Sequence, residues 1–167
     1  MLPPDTVRGL VDWQRAAFTD VRDVRIVPPP NLHVTLAFLG HRPADEVEPI
    51  AATLRAVAPA ARRPNFSVAR YRETRSVGML GLEDADGHAA SLAGVVHGRL
   101  EDLGVYERER RRWLAHVTVL RFRRPPRLAP ALPALGVFSP SEVAVYHSVL
   151  RPTGAQYEIV ESVPLGS

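Results

Sequence analysis

The strongest constraint on this chain is a short pattern written twice, Leu32-His33-Val34-Thr35-Leu36 and Ala115-His116-Val117-Thr118-Val119, with its histidines 83 residues apart. Each copy sets a histidine and a threonine two residues apart inside an apolar run rich in β-branched residues, which reads as a strand. Successive strand side chains point to opposite faces, so His33 shares a face with Thr35, and His116 with Thr118. A buried strand ordinarily carries apolar groups on such a face. Two polar pairs at strand spacing predict two walls of one polar cleft. With six His and seven Thr in 167 residues, chance supplies about 0.25 such triplets, and two copies in matching aliphatic settings only on the order of 0.03 of the time. The competing reading makes both histidines satisfied core residues beside threonines that are simply good strand formers.

Composition narrows the possible functions. The chain is 46% hydrophobic, enough for one compact domain over residues 1–167. Zero cysteines exclude a disulfide framework and thiolate metal sites. No apolar stretch has membrane-spanning length, so no membrane partner is expected, and the plain expectation is a soluble, cytoplasmic monomer. All 21 basic residues are arginine, which removes Schiff-base chemistry and a P-loop lysine. We attribute the missing lysine to codon bias. The net charge is only +3, yet Arg108, Arg110, Arg111 and Arg112 precede the second motif and Arg121, Arg123, Arg124 and Arg127 follow it. Such clustering suits a polyanion; the alternative is a solvated loop tempered by Glu107 and Glu109.

Along the chain, Asp5 is expected to cap a helix carrying Val7, Leu10, Val11 and Phe18. Val24 and Ile26 read as a strand stopped by Pro28-Pro29-Pro30. Val47, Ile50, Ala51 and Leu54 repeat at helical spacing, with Pro49 expected to kink that helix or delay its start. Short strands are expected near Phe66–Ala69 and Val77–Leu82, and a helix over Ala89–Leu103 with a stripe of Leu92, Val95, Val96, Leu100 and Leu103, closed by Gly104. Residues 123–133 read as a loop. Val143–Leu150 and Tyr157–Val163 read as strands joined by a Pro152-Thr153-Gly154 turn. The irregular alternation predicts an α+β fold with antiparallel pairing.

The extended motif Asn31-Leu32-His33-Val34-Thr35-Leu36-Ala37-Phe38-Leu39-Gly40 resembles the first signature of the two-histidine phosphoesterases, and more narrowly of the RNA 2′,3′-cyclic phosphodiesterases, also called 2′–5′ RNA ligases. Trp113-Leu114-Ala115-His116-Val117-Thr118-Val119-Leu120-Arg121 resembles the second, with Ala115 where the family often has proline. Residues 146–157 resemble the family's closing strand, turn and strand. One departure is larger: the family's short opening strand is absent before Leu2-Pro3, which predicts an unpaired sheet edge.

The resemblance implies a bilobal fold of two antiparallel sheets, each offering a His-x-Thr strand to a central cleft, with helices on the outer faces. It implies His33 as proton donor, His116 as proton acceptor, Thr35 and Thr118 as partners of the phosphoryl oxygens, and Arg121 as a substrate-binding residue. It also implies RNA ends bearing a 2′,3′-cyclic phosphate as partner, hydrolysis to a 2′-phosphomonoester, and reverse 2′–5′ ligation. The residues themselves leave the direction open, since imidazole, with a pKa of about 6.5, serves as acid or base near neutrality. Arg121 falls on the opposite strand face from His116 unless the strand ends or twists first.

No cofactor is expected. No His-Glu-x-x-His or similar cluster predicts a metal, and His88 and His97 are nine residues apart, too far for an i, i+4 pair. No Gly-x-Ser-x-Gly elbow predicts serine hydrolysis. Phe38 and Tyr71 are candidates for base stacking, with core or surface roles the plainer reading. Two other functions compete: hydrolysis of a small nucleotide-derived or ADP-ribose-derived cyclic phosphate, and non-catalytic nucleotide binding.

Overall fold

Helix α1 (Pro4–Phe18) turns Leu10, Gln14 and Phe18 inward at helical spacing. Asp5 does not cap it: Pro3 holds the cap position without a side-chain bond, and Asp5 lies in the first turn, paired with Arg8. Pro4 suits the first helical position, where an N–H would have no partner anyway. The computed structural model describes residues 1–151 and 154–166.

Behind α1 stands an antiparallel sheet in the order β1 (Val24–Ile26), β4 (His116–Phe122), β3 (Val77–Asp84), β2 (Phe66–Glu73). Both hairpin strands run longer than expected. Leu10 and Phe18 meet Leu80, Val117, Val119, Leu120 and Phe122 in the core between helix and sheet. The second lobe joins β5 (Glu142–Arg151) to β6 (Gly154–Pro164). Its core takes Ile50 and Leu54 from α2 (Val47–Val57), Leu92, Val96 and Leu100 from α3 (His88–Asp102), and Val163 from β6. The molecule is therefore α+β, with two antiparallel sheets and three α-helices among the described residues.

Local chemistry explains the departures. Pro49 stands third in α2, inside the first turn where N–H groups are unpaired, so a 3-10 turn at Ala44–Glu46 precedes the helix and no bond is lost. In α3 the inward stripe is Leu92, Val96, His97 and Leu100, while Val95 and Leu103 face outward. Gly104, at φ 73°, closes that helix as expected, its N–H bonding the Glu101 carbonyl. Residues 152 and 153 of the expected turn lie outside the described residues. Among those described, β5 pairs with β6 alone, and the chain's amino terminus donates to the Glu142 carbonyl on β5. No helix is long and apolar enough to cross a membrane.

The largest correction concerns the first motif. Its pattern predicts a strand over Leu32–Leu36, but only Val34 pairs, in a single bridge to Val117. A 3-10 turn at Pro29–Asn31 delivers the segment already curved. Its next carbonyls are then claimed by side chains instead of a ladder: Trp113 Nε1 donates to the Thr35 carbonyl at 3.0 Å, and His97 Nε2 bonds the Leu36 carbonyl at 2.8 Å. The second motif is a strand, as expected.

Candidate active site

The cleft is built by register. On β4, Val117 and Val119 enter the core, leaving His116 and Thr118 partly exposed on the other face. Ordinary alternation would send Arg121 into the core. Pairing with β3 slips instead: Met79 faces Thr118, but Gly78 faces Leu120. Val119 is thus the extra residue of a β-bulge, and Val119 and Leu120 are both fully buried in succession. The bulge restores Arg121 to the face of His116 and Thr118.

Gln14 braces that bulge. Its side chain is 1% exposed, and its Nε2 donates to the Val119 carbonyl at 2.8 Å and the Val27 carbonyl at 3.1 Å. Both protons of one amide are therefore used on carbonyls at the meeting of β1 and β4. Nothing in the sequence marks Gln14 beyond its being a polar residue on the inward face of an amphipathic helix.

Opposite β4, the first motif threads between the lobes. Leu32 and Val34 pack into the first core, and Leu36, Ala37 and Leu39 into the second. His33 and Thr35 are left on the cleft side. His33, Thr35, His116, Thr118 and Arg121 all line one cleft of about 1150 Å³. The five sequence candidates are therefore together in space. Phe38, 78% exposed, also lines it, whereas Tyr71 packs against Phe18 in the core.

The two imidazoles have different surroundings. His116 Nδ1 lies 2.9 Å from the Leu114 carbonyl, an acceptor that holds a proton on Nδ1 and leaves Nε2 to exchange protons with the cleft. His33 is flanked by two rings that sequence reading placed only in the closing strands. Tyr146 stacks at 5.5 Å between centroids, and Tyr157 meets it edge-on at 5.0 Å. Burial there pushes the His33 pKa below the ordinary imidazole value. The Asn31 backbone opposes this, and the charges of His116, Arg121 and the amino terminus add to the lowering. No group satisfies full hydrogen-bond geometry at His33 Nδ1, so the Asn31 contact is weak and burial prevails. The same burial, with Glu142, raises the Tyr146 phenol.

Basic residues surround these groups, though not in the expected pattern. Arg108, Arg110, Arg111 and Arg112, upstream of the second motif, line the cleft, while Arg123, Arg124 and Arg127 do not. Arg25, Arg70 and Arg72, distant in sequence, do. His88 instead bonds the Arg63 carbonyl at 3.1 Å, His97 is buried in the core yet also lines the cleft, and His41 and His147 are exposed away from it. No cluster of three metal-ligating side chains occurs among the described residues.

Comparison with known proteins agrees with this architecture. Residues 1–74, which include the first motif, match the family described as LigT like Phosphoesterase. An RNA 2′,3′-cyclic phosphodiesterase of Thermus thermophilus is 28% identical over 97% of this chain and 86% of its own length. A solved structure of a Thermus thermophilus protein superimposes with a TM-score of 0.80 at 24% identity, covering 98% of this chain and 93% of the other. Escherichia coli LigT, complexed with 3′-AMP, gives a TM-score of 0.83 at 19% identity, covering all of this chain and 95% of LigT.

Proposed function

We propose, for a chain that belongs to the LigT-like phosphoesterases of the two-histidine superfamily, that it hydrolyses RNA 2′,3′-cyclic phosphate ends to 2′-phosphomonoesters. The observation that carries this reading is the placement of both His-x-Thr pairs and Arg121 on one cleft. The name of the Thermus relative supports the substrate class, and the nucleotide bound by Escherichia coli LigT supports a nucleotide end.

The proposed steps keep the roles that the family resemblance implies. Water attacks phosphorus as His116 Nε2, the nitrogen not engaged by Leu114, accepts its proton. The bond from phosphorus to the ribose O3′ breaks, and His33 gives a proton to that oxygen. Thr35 and Thr118 donate hydroxyl hydrogen bonds to the non-bridging oxygens, and the Arg121 charge steadies the anionic phosphorus centre. Every proton is carried by an imidazole, so the step needs no metal ion. With a 5′-hydroxyl in place of water, the same groups in the same roles join the cyclic end to that hydroxyl through a 2′–5′ linkage, O3′ leaving as before, and reversal of this step cleaves the linkage. Exposed Phe38 at the rim offers a face for a nucleobase. Both histidines belong to one chain, consistent with a monomer acting as one bilobal unit over residues 1–167, and the lack of cysteine fits a cytoplasmic setting.

The test compares an oligonucleotide ending in a cyclic phosphate with a cyclic mononucleotide, identifying the product isomer by chromatography after exhaustive EDTA treatment. A 2′-phosphomonoester from both, formed at undiminished rate, is the expected result. A 3′-phosphomonoester, or strict dependence on an added divalent ion, rejects the mechanism. Turnover of the mononucleotide alone moves the substrate to the small cyclic phosphates, and binding without turnover makes the domain a nucleotide-binding module.

A further inference from the structure

We propose that Arg70 and Arg72 form a second phosphate-binding site on the edge strand β2, which takes the phosphate on the 5′ side of the nucleotide whose cyclic phosphate is cleaved. The proposal rests on the cyclic phosphodiesterase reading and names a specificity determinant within it.

Register places the two arginines. Arg70 faces Gly81 on β3, and Gly81 faces His116 on β4. Arg72 faces Met79, and Met79 faces Thr118. Each arginine therefore lies in the same cross-sheet row as one residue of the second motif, two strands away, or about 10 Å at ordinary strand spacing. Tyr71, between them, points to the core face and meets Phe18, so Arg70 and Arg72 share the cleft face and line the cleft. A slip in pairing between Val68 and Arg70 sets this phase, with Ala69 as the extra residue.

Gly81 supplies an independent observation. A Cβ there would lie 3.2 Å from Arg70 Cγ and 3.3 Å from its Nε. The Arg70 side chain thus lies over β3, in the space a side chain at position 81 would fill, on the strand that separates β2 from His116. Arg70 and Arg72 are also available for a ligand. Arg108 pairs with Glu101 at 3.2 Å and Arg111 pairs with Glu109, whereas no ion pair among the described residues involves Arg70 or Arg72. Their acidic neighbour Glu73 is occupied by the Tyr71 hydroxyl and the backbone N–H groups of Arg127 and Leu128. Arg121 stands on β4 itself, on the face of His116 and Thr118, whereas Arg70 and Arg72 stand two strands away. They therefore flank the reacting phosphate instead of gripping it. Planar guanidinium groups at that distance match a neighbouring phosphate of the same strand.

The test uses three substrates: a nucleoside 2′,3′-cyclic phosphate, the same compound with a 5′-phosphate, and a dinucleotide ending in the cyclic phosphate. For the unaltered protein, the two substrates with a 5′-side phosphate should show KM values about tenfold below the first. In Arg70→Gln/Arg72→Gln that advantage should shrink to about twofold or less. Gly81→Ala, which keeps both charges but obstructs the path of Arg70, should reduce it partway. An advantage held by the dinucleotide alone, and lost in the variant, assigns the site to an internal diester; one shared by the 5′-phosphorylated mononucleotide assigns it to a phosphate of either kind. Equal KM values for all three in the unaltered protein, or an advantage that survives Arg70→Gln/Arg72→Gln, overturns the proposal. Calorimetric binding of a nucleoside 2′-phosphate with and without a 5′-phosphate reads the same difference without turnover, so failure of hydrolysis is told apart from failure of the site.

Discussion

Burial separates the two histidines more than their matching motifs suggest. His33, between Tyr146 and Tyr157, has its pKa lowered chiefly by desolvation. A general acid must hold its proton, so in the free protein the competent form of His33 declines as pH rises through that lowered value. A phosphate anion placed in the cleft favours the imidazolium and raises it again. The alkaline limb of kcat should therefore lie at higher pH than that of kcat/KM, since kcat/KM reports the free protein and kcat the complex. Coincident limbs in the two profiles would count against His33 as the acid. His33→Ala and His116→Ala should each cut kcat by roughly 10²–10⁴-fold, as loss of a positioned acid or base does. Circular dichroism would check that both variants remain folded; near-normal turnover by either contradicts the two-histidine mechanism. Thr35→Val and Thr118→Val should cost less, each removing one hydroxyl donor.

At the scale of elements, the β4 bulge decides whether Arg121 reaches the cleft. Gln14→Leu keeps the volume near that of glutamine but leaves the Val27 and Val119 carbonyls without their side-chain donor. A loss of about 1–3 kcal/mol is expected, lowering Tm by roughly 2–4 °C per kcal/mol in a chain of this size. That much any buried hydrogen bond would cause. The distinguishing result is kinetic: KM should rise as in Arg121→Gln, and Gln14→Leu should add little to KM in the Arg121→Gln background. Additive penalties in that double-mutant cycle would reduce Gln14 to a structural role. Trp113 acts similarly on the other wall, its indole N–H holding the Thr35 carbonyl in place of a strand partner.

Across the whole molecule, the first motif segment ties the two cores together, with Leu32 and Val34 in one and Leu36, Ala37 and Leu39 in the other. The cleft is the seam, so its walls hold position only while both cores are intact. Leu80→Ala in the first core and Leu92→Ala in the second, at 0% and 4% exposure, should each cost about 2–5 kcal/mol. Trp13 lies on α1 in the first lobe. In a protein with Trp113→Phe, its fluorescence should report an earlier urea transition for Leu92→Ala as well as for Leu80→Ala. A Trp13 transition unmoved by Leu92→Ala would show that the lobes unfold separately.

Sequence alone determined what depends on local period and residue type. Helical spacing marked all three helices, and strand alternation put His116 beside Thr118. The choice of imidazole and hydroxyl in duplicate led to the expectation of acid–base chemistry before any contact was known. What depends on pairing between distant segments was decided only by the tertiary structure. The first motif reads as a strand, but its carbonyls go to Trp113 and His97 from elsewhere in the chain. The arginines that closely follow His116 in sequence, Arg123 and Arg124, miss the cleft, while Arg70 and Arg72 reach it across β3. Arg121 has the wrong parity on an ideal strand, and the bulge at Val119 corrects it. The physical reason is common to these cases: a side chain's face follows from its own neighbours only while the ladder is regular, and bulges and side-chain bonds to the backbone are made by partners far away in sequence.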